Sequence, residues 1–446
     1  MSEPSSTPTW QVAALVGRAG SPDVLLEDGI DVPTLPTAGT PIAIEPFASD
    51  AFEAVEEMLG VPLTPLRLTW LPATDWQSGT LVAEVESLDV APPRFRWHDP
   101  TDSIEVLEPE PVRSVARRWI DRRGHEGNPL EPPWARAGWF ARASAWMEER
   151  LRTAGFTIAE PPRMVYQGPL GAVLRVRSDG HAMFLKCAPP AFASEASITH
   201  ALWRRTPASV PAVIAIESAE NWLLMHDHGG RLVDREAEAT WPEALGAFAM
   251  LQRSWVSWAA EIPAAGGQAR PIELLVSTIP QLLDRDGFGS RLEPEMREAW
   301  IAATPRLVAA CEALLAVGLP DTLVHGDLHP GNIVATSDAY VVVDWSDTAV
   351  GNPFVDLATF LVRTKDLDLR RRLVAAYVDA WDGFAGRAQL DEAARLGMTV
   401  GSVYQVATYL ALLPALDAPD RAMFEGADVG WAKRALDALE HGLEAG

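Results

Sequence analysis

Lysine is almost missing from this chain. Of 37 basic residues it supplies only Lys186, Lys365 and Lys433, and arginine carries the rest. Cysteine is as scarce, with Cys187 and Cys311 the only two. Two thiols cannot build a disulfide framework, and they read as buried thiols in a reducing compartment. No apolar run reaches the roughly eighteen residues a membrane span needs, and the start at Met1, Ser2, Glu3 and Pro4 has no basic and apolar leader. These absences predict a soluble, cytoplasmic protein with no membrane partner. Positive charge is itself in deficit: 61 acidic residues leave a formal net charge of -24. A polyanion would be repelled, which excludes nucleic acid as a partner. The same acidity permits a cationic small molecule without demanding one.

What remains is a chain of 446 residues, 48% of them apolar, long enough for two or three packed domains. Residues 1–9 read as disordered. Strand-like runs follow at Gln11–Val16, Asp23–Leu26, Pro41–Ile44, Leu66–Leu71, Thr80–Val85 and Arg94–Trp97. Ser49 or Asp50 can cap a helix that Gly60 ends, and Val112–Arg123 reads as a basic amphipathic helix. Residues 1–125 therefore form a small α+β domain. The stretch from Gly124 to Pro133 is dense in Gly and Pro and reads as a linker. Trp134–Thr153 follows as a helix with an apolar stripe, so that 126–155 is linker and helix.

The densest chemistry lies between Leu323 and Asp344. Two apolar runs, Ile333–Val334 and Tyr340–Val343, flank Thr336, Ser337 and Asp338, the pattern of a short β-hairpin. Asp327 and Asn332 sit on the loop entering the first strand, and Asp344 ends the second, with His325 nearby. Phosphoryl transfer needs this inventory: one carboxylate to orient a hydroxyl, and two oxygen ligands for Mg2+. Upstream, Gly168 and Gly171 join two strands in a turn that either cradles phosphates through backbone N–H groups or is an ordinary hairpin turn. Lys186 ends an apolar strand, where an amine must pair or reach solvent, and Glu195 opens the next helix. His226 and His228 read as plain loop residues. From Thr240 onward the periodicity is helical.

The spacing of His325, Gly326, Asp327 and Asn332, followed by Asp344, Trp345, Ser346 and Asp347, resembles the catalytic core of the aminoglycoside phosphotransferase and choline kinase group, relatives of protein kinases. The resemblance runs from Phe156 to the C-terminus. It implies a bilobal protein-kinase-like α+β fold, with a β-rich nucleotide-binding N-lobe at 156–230 and a mostly helical C-lobe at 231–446. It implies ATP and Mg2+ as cofactors. Lys186 would hold the α- and β-phosphates and pair with Glu195, the Gly168–Gly171 loop would cover the phosphates, and the backbone from Met225 to Asp227 would meet adenine. Asp327 would act as base, Asn332 and Asp344 as metal ligands, His325 as a brace of the loop, and Asp356 as its anchor. The acceptor would be a hydroxyl of a small molecule: an aminoglycoside, an aminosugar, another sugar or an amino alcohol. The alternative is a nucleotide-binding regulator or scaffold with a kinase-like fold.

The register from Gly39 to Val61, with Glu45, Val55, Glu57 and Gly60, resembles the Nudix box. Glu53, Ala54 and Met58 depart from it, where an arginine and two glutamates belong. Glu53, Glu56 and Glu57 still share one helical face. The resemblance implies a Nudix-like domain without Nudix hydrolysis, serving as a cap or a partner surface.

Overall fold

The computed structural model describes residues 9–27, 34–41, 47–72, 79–123, 128–178 and 180–444. Glu45, the expected strand beyond Pro41, residues 1–8 and the first residues of the linker lie outside them. The chain divides into two compact units, Met1–Pro189 and Pro190–Gly446, and the fold is mixed α+β.

In the first unit, β1 (Thr9–Arg18) is the central strand. It runs parallel to β5 (Gly79–Leu88) and antiparallel to β2 (Val24–Glu27) and β3 (Thr37–Pro41). The strands β4 (Pro65–Pro72) and β6 (Phe95–His98) extend the ladder from β5 and β2. Ala13 and Leu15 are buried on one face of β1, and Val12, Ala14 and Val16 on the other. Its sequence therefore runs apolar without alternation. The helix α1 (Phe47–Leu59) starts two residues ahead of Ser49 and ends where Gly60 turns left-handed, φ +69°. After the short α2 (Pro100–Ser103), α3 (Glu110–Arg123) lays Val112, Val115, Ala116 and Trp119 on the sheet. Arg122 near its end pairs with the buried Glu84 and lies 3.6 Å from Glu131, tying the end of the linker back to the sheet.

The helix expected from Trp134 begins later. Pro133–Ala135 is a 3-10 turn, Gly138 is left-handed, and α4 spans Trp139–Thr153. The meander of β7 (Arg163–Gly168), β8 (Gly171–Ser178) and β9 (His181–Cys187) follows.

The second unit opens with α5 (Glu195–Arg205) and the hairpin of β10 (Val213–Glu217) and β11 (Trp222–His226). Beyond it the chain is mainly helical: α6 (Trp241–Ser254), α7 (Glu261–Ala264), α8 (Ile272–Thr278), α9 (Phe288–Arg291) and α10 (Pro294–Ala316) come first. Then come α11 (Leu357–Leu361), α12 (Leu367–Ala380), α13 (Arg387–Leu412), α14 (Ala418–Ala422) and α15 (Ala427–His441). The expected helix from Pro271 to Asp286 breaks after Thr278, where Pro280 starts a 3-10 segment. Trp255, Trp300 and Trp381 are fully buried in one core.

Two small sheets interrupt the helices. In one, β12 (Arg231–Leu232) pairs with β15 (Ile333–Ala335), which pairs with β16 (Tyr340–Val342). In the other, β13 (Gln268–Ala269) and β14 (Thr322–Val324) flank β17 (Ala349–Gly351). By length and composition α10 and the segment from Arg387 to Ala415 could each cross a membrane, but 83% of the latter's apolar window is buried in the unit. That segment is the core helix. It carries Gly397 and Gly401 one turn apart, where a Cβ would come within 2.5 Å of the Phe354 carbonyl and 2.3 Å of the Val355 carbonyl. The absence of side chains there lets the Pro353–Asp356 turn press onto α13.

Candidate active site

That turn delivers Asp356, which is 1% exposed. Its Oδ2 accepts from the His325 N–H at 2.8 Å and from Gln252 Nε2 at 2.9 Å, and its Oδ1 accepts from the Gly326 N–H at 2.9 Å. Burial pushes the carboxyl up to about 7, and the two backbone donors oppose the shift. Gln252 is wholly buried. It also donates to the Leu323 carbonyl at 2.9 Å, and its Oε1 accepts from the Tyr377 hydroxyl at 2.5 Å. The loop after β14 is thus hung from a buried polar network with many partners, the condition under which such a network rigidifies what it holds.

His325 is fully buried, and both ring nitrogens are committed. Nε2 meets the Val343 carbonyl at 2.9 Å, while Nδ1 accepts from the Asp327 N–H at 3.3 Å. The ring is therefore neutral with its proton on Nε2, and burial lowers its pKa. It lies 4.8 Å from the Trp345 ring. His325 joins the loop of Asp327 to the strand end that carries Asp344, and it has no nitrogen left for proton transfer. Gly326 has φ +88°, and a Cβ there would come 2.5 Å from the Asp347 carbonyl. Only glycine fits.

Asn332 is buried and donates from Nδ2 to the Asp327 carbonyl at 2.9 Å. His329 was not singled out from the sequence, although its spacing two residues after Asp327 was a usable signal. Its Nδ1 accepts from the Gly331 N–H at 3.0 Å, and its Nε2 lies 4.0 Å from Asp327. Burial, with Arg363 adding, lowers it to about 4. Asp344 stands at φ +66°, a left-handed conformation that costs a non-glycine residue roughly 1–2 kcal/mol. The Ser346 hydroxyl donates to its Oδ1 at 2.9 Å.

Asp327, Asp344 and Asp347 share one electrostatic field. Burial pushes Asp347 up to about 7; Arg270 opposes this, and Asp327, Asp344 and Glu195 add to it. Asp327 keeps 53% of its side chain exposed, yet loss of bulk water around it raises its carboxyl as well, with Asp344 adding. Carboxylates held together against their mutual repulsion fit a divalent cation, which would relieve that field. No group of three or more His, Cys, Asp or Glu forms a complete cage among the described residues. A cation there would take its remaining ligands from phosphate oxygens and water, as Mg2+ does. Burial pushes Tyr409 up to about 12, with Asp327 and Asp347 adding.

The second unit therefore gathers His325, Asp327, Asn332, Asp344 and Asp356, with Glu195 near enough to act on Asp347. Glu195 is buried in the first turn of α5. Met225 lies on β11, and the Asp227 carboxylate accepts from the Gly229 N–H at 3.1 Å in the turn beyond. Lys186 ends β9 in the first unit. Gly168 and Gly171 face each other across the two-residue turn Pro169–Leu170. Gln252, Tyr377 and Arg270 were missed because nothing in the pattern separates a polar residue in an apolar stripe from a surface one.

A model of the phosphotransferase enzyme family (APH) matches residues 171–393. Among solved structures, macrolide 2'-phosphotransferase MphH from Brachybacterium faecium is 19% identical, covers 66% of this chain and 98% of its own, and superposes with a TM-score of 0.46. A thermostable mutant of aminoglycoside phosphotransferase APH(4)-Ia, in ternary complex with ADP and hygromycin B, is 13% identical, with coverages of 67% and 98% and a TM-score of 0.45. A choline/ethanolamine kinase family protein from Mesorhizobium loti is 17% identical, with coverages of 68% and 99% and a TM-score of 0.42. No curated protein sequence matches the chain.

Proposed function

The chain belongs to the phosphotransferase enzyme family, and from that premise we propose that it transfers the γ-phosphoryl group of ATP to a hydroxyl of a small molecule. The observation that carries this reading is the network in which Asp356 holds both backbone N–H groups before Asp327 while His325 ties that loop to Val343, the residue before Asp344. A carboxylate for the acceptor and a carboxylate for a metal are thereby fixed relative to each other, which phosphoryl transfer requires. Asp327 orients the acceptor hydroxyl and takes its proton. Asn332 and Asp344 would hold Mg2+, and Lys186, with Glu195 as its partner in charge, would bind the nucleotide phosphates. When bound, ATP with Mg2+ supplies the phosphoryl group and the neutralisation of its charge.

Acceptors compatible with this reading are aminoglycosides, aminosugars, other sugars and amino alcohols. The test is ADP release over a panel of these compounds, with Asp327→Ala as control. A selective, Mg2+-dependent signal lost in the variant supports the reading. Equal turnover by both proteins refutes the role of Asp327. ATP binding without turnover on any acceptor favours a nucleotide-binding regulator.

A further inference from the structure

The hairpin of β7 and β8 carries the Gly168–Gly171 turn, which the resemblance to the phosphotransferase family places over the nucleotide phosphates. Its first strand does not stand alone: within the first unit β7 packs on α1 and on β4, both from the N-terminal α+β domain. Two polar contacts pin it, one at each end. At the start, Arg163 Nη1 lies 2.6 Å from Glu53 Oε1 on α1. At the other end, Gln167 Nε2 donates to the Leu66 carbonyl at 2.7 Å.

Both strands are irregular where this happens. The pairing of β4 with β5 slips between Pro65 and Arg67, so Leu66 falls out of the ladder and its carbonyl is left to another donor. The pairing of β7 with β8 slips between Met164 and Tyr166. A bulge there would let the tip of the hairpin swing, and Gln167 is anchored beyond it, next to Gly168.

Gln167 is 2% exposed, and its Oε1 is buried with no hydrogen-bond partner among the described residues. A buried orphan acceptor costs about 1–3 kcal/mol. Methionine would fill similar volume without that cost but would leave the Leu66 carbonyl orphaned at a comparable one, so the two side chains come out nearly even in stability and stability alone does not select the amide. The carboxylates on the acidic face of α1 are also engaged locally: Glu53 meets Arg163, and Glu56 accepts from the Leu63 N–H at 2.9 Å.

We propose that the N-terminal domain is a brace for the nucleotide hairpin, and that Gln167 is the positioning residue through which Leu66 fixes the Gly168–Gly171 turn. The face of α1 that resembles a metal-binding helix is used for docking on β7. This inference rests on the nucleotide-binding reading of the hairpin, and its experiment separates the two.

The experiment compares the full-length wild type with Gln167→Met by three measurements: thermal unfolding, hydrogen exchange over residues 163–178, and titration with ATP and Mg2+. The expected result is an unfolding midpoint close to wild type, exchange at 168–172 faster by about tenfold, and a Kd for ATP weaker by about tenfold, equivalent to about 1.4 kcal/mol. A residue with a merely structural role would lower the midpoint and leave ATP affinity alone. Unchanged exchange overturns the brace. Faster exchange with unchanged ATP affinity overturns the positioning role. If the wild type itself binds no ATP, the nucleotide reading falls, while the exchange data still decide the brace. Should Gln167→Met fail to fold, Arg163→Gln at the exposed end keeps the test open, with a Kd increase of about threefold expected and an unchanged Kd counting against the brace.

Discussion

Replacing Asp356 by asparagine should loosen the loop of Asp327 without emptying the core. The carboxylate accepts three hydrogen bonds, two on Oδ2 and one on Oδ1. An asparagine keeps one acceptor oxygen. If that oxygen takes the place of Oδ2, the new NH2 group faces the Gly326 N–H, donor against donor. The loss of one hydrogen bond to a charged group, about 1.5–3 kcal/mol, combines with one orphaned buried donor at about 1–3 kcal/mol. The expected local cost is about 3–5 kcal/mol. The chain has two units, so a single global unfolding free energy is not well defined, and the local opening of the loop is the quantity to measure. Hydrogen exchange of the His325 and Gly326 amides should accelerate by a factor of about 100 or more, since every 1.4 kcal/mol is tenfold. Turnover should fall with it, because Asp327 loses its fixed position. Exchange within about threefold of wild type together with wild-type turnover would refute the idea that Asp356 anchors the catalytic loop.

Gly326→Ala should fold poorly or lose activity, because a Cβ would sit 2.5 Å from the Asp347 carbonyl at a left-handed position; a crystal structure or turnover equal to wild type would contradict this. Asp344→Gly should be more stable by about 1 kcal/mol through relief of the left-handed strain, while Mg2+-dependent turnover disappears. A stable variant that still turns over with Mg2+ would remove Asp344 from the ligand set. His329 is lowered to about 4, against an ordinary value of 6.5, so between those values the unfolded chain binds more protons than the folded one. Its contribution is therefore fully present above about pH 6.5 and is lost as pH falls toward 4. Urea midpoints at pH 7 and pH 5 should differ less in His329→Gln than in wild type.

Much of the second unit was legible because its chemistry is compressed into one stretch. Asp327, Asn332 and Asp344 lie within eighteen positions of one another, and the two strands that carry them have short apolar runs with a polar turn between. The supports of that stretch were harder to see. Asp356 could be named from the motif, but Gln252 and Tyr377 lie on α6 and α12, remote in sequence, and each looks like any polar residue on a helix. Only contact distances show that Gln252 reaches the Asp356 carboxylate and that Tyr377 bonds to Gln252 behind it. The left-handed turn at Asp344 was hidden for a similar reason. Residue type favours glycine or asparagine there, and under the proposed function an aspartate would hold the position for the sake of its carboxylate.

The N-terminal domain shows how a spacing rule can find the right residues and leave their use undecided. Glu53, Glu56 and Glu57 share a face of α1, and a shared acidic face is equally suited to a cation or to an arginine. What separates the two uses is the number of ligands that remain available. Glu53 is paired with Arg163, and Glu56 is occupied by the Leu63 N–H. In the second unit the same accounting comes out the other way. Burial and Asp344 raise the proton affinity of both Asp327 and Asp347, Asp327 adds to it at Asp347, and Arg363 and Arg270 oppose it at Asp327 and Asp347 respectively. A group of carboxylates that its own surroundings leave undercompensated needs a cation from outside, and a group already matched by an arginine and a backbone N–H does not. Under the proposals made above, the acidic face on α1 would serve as a joint, and the acidic cluster around Asp344 would hold the metal ion.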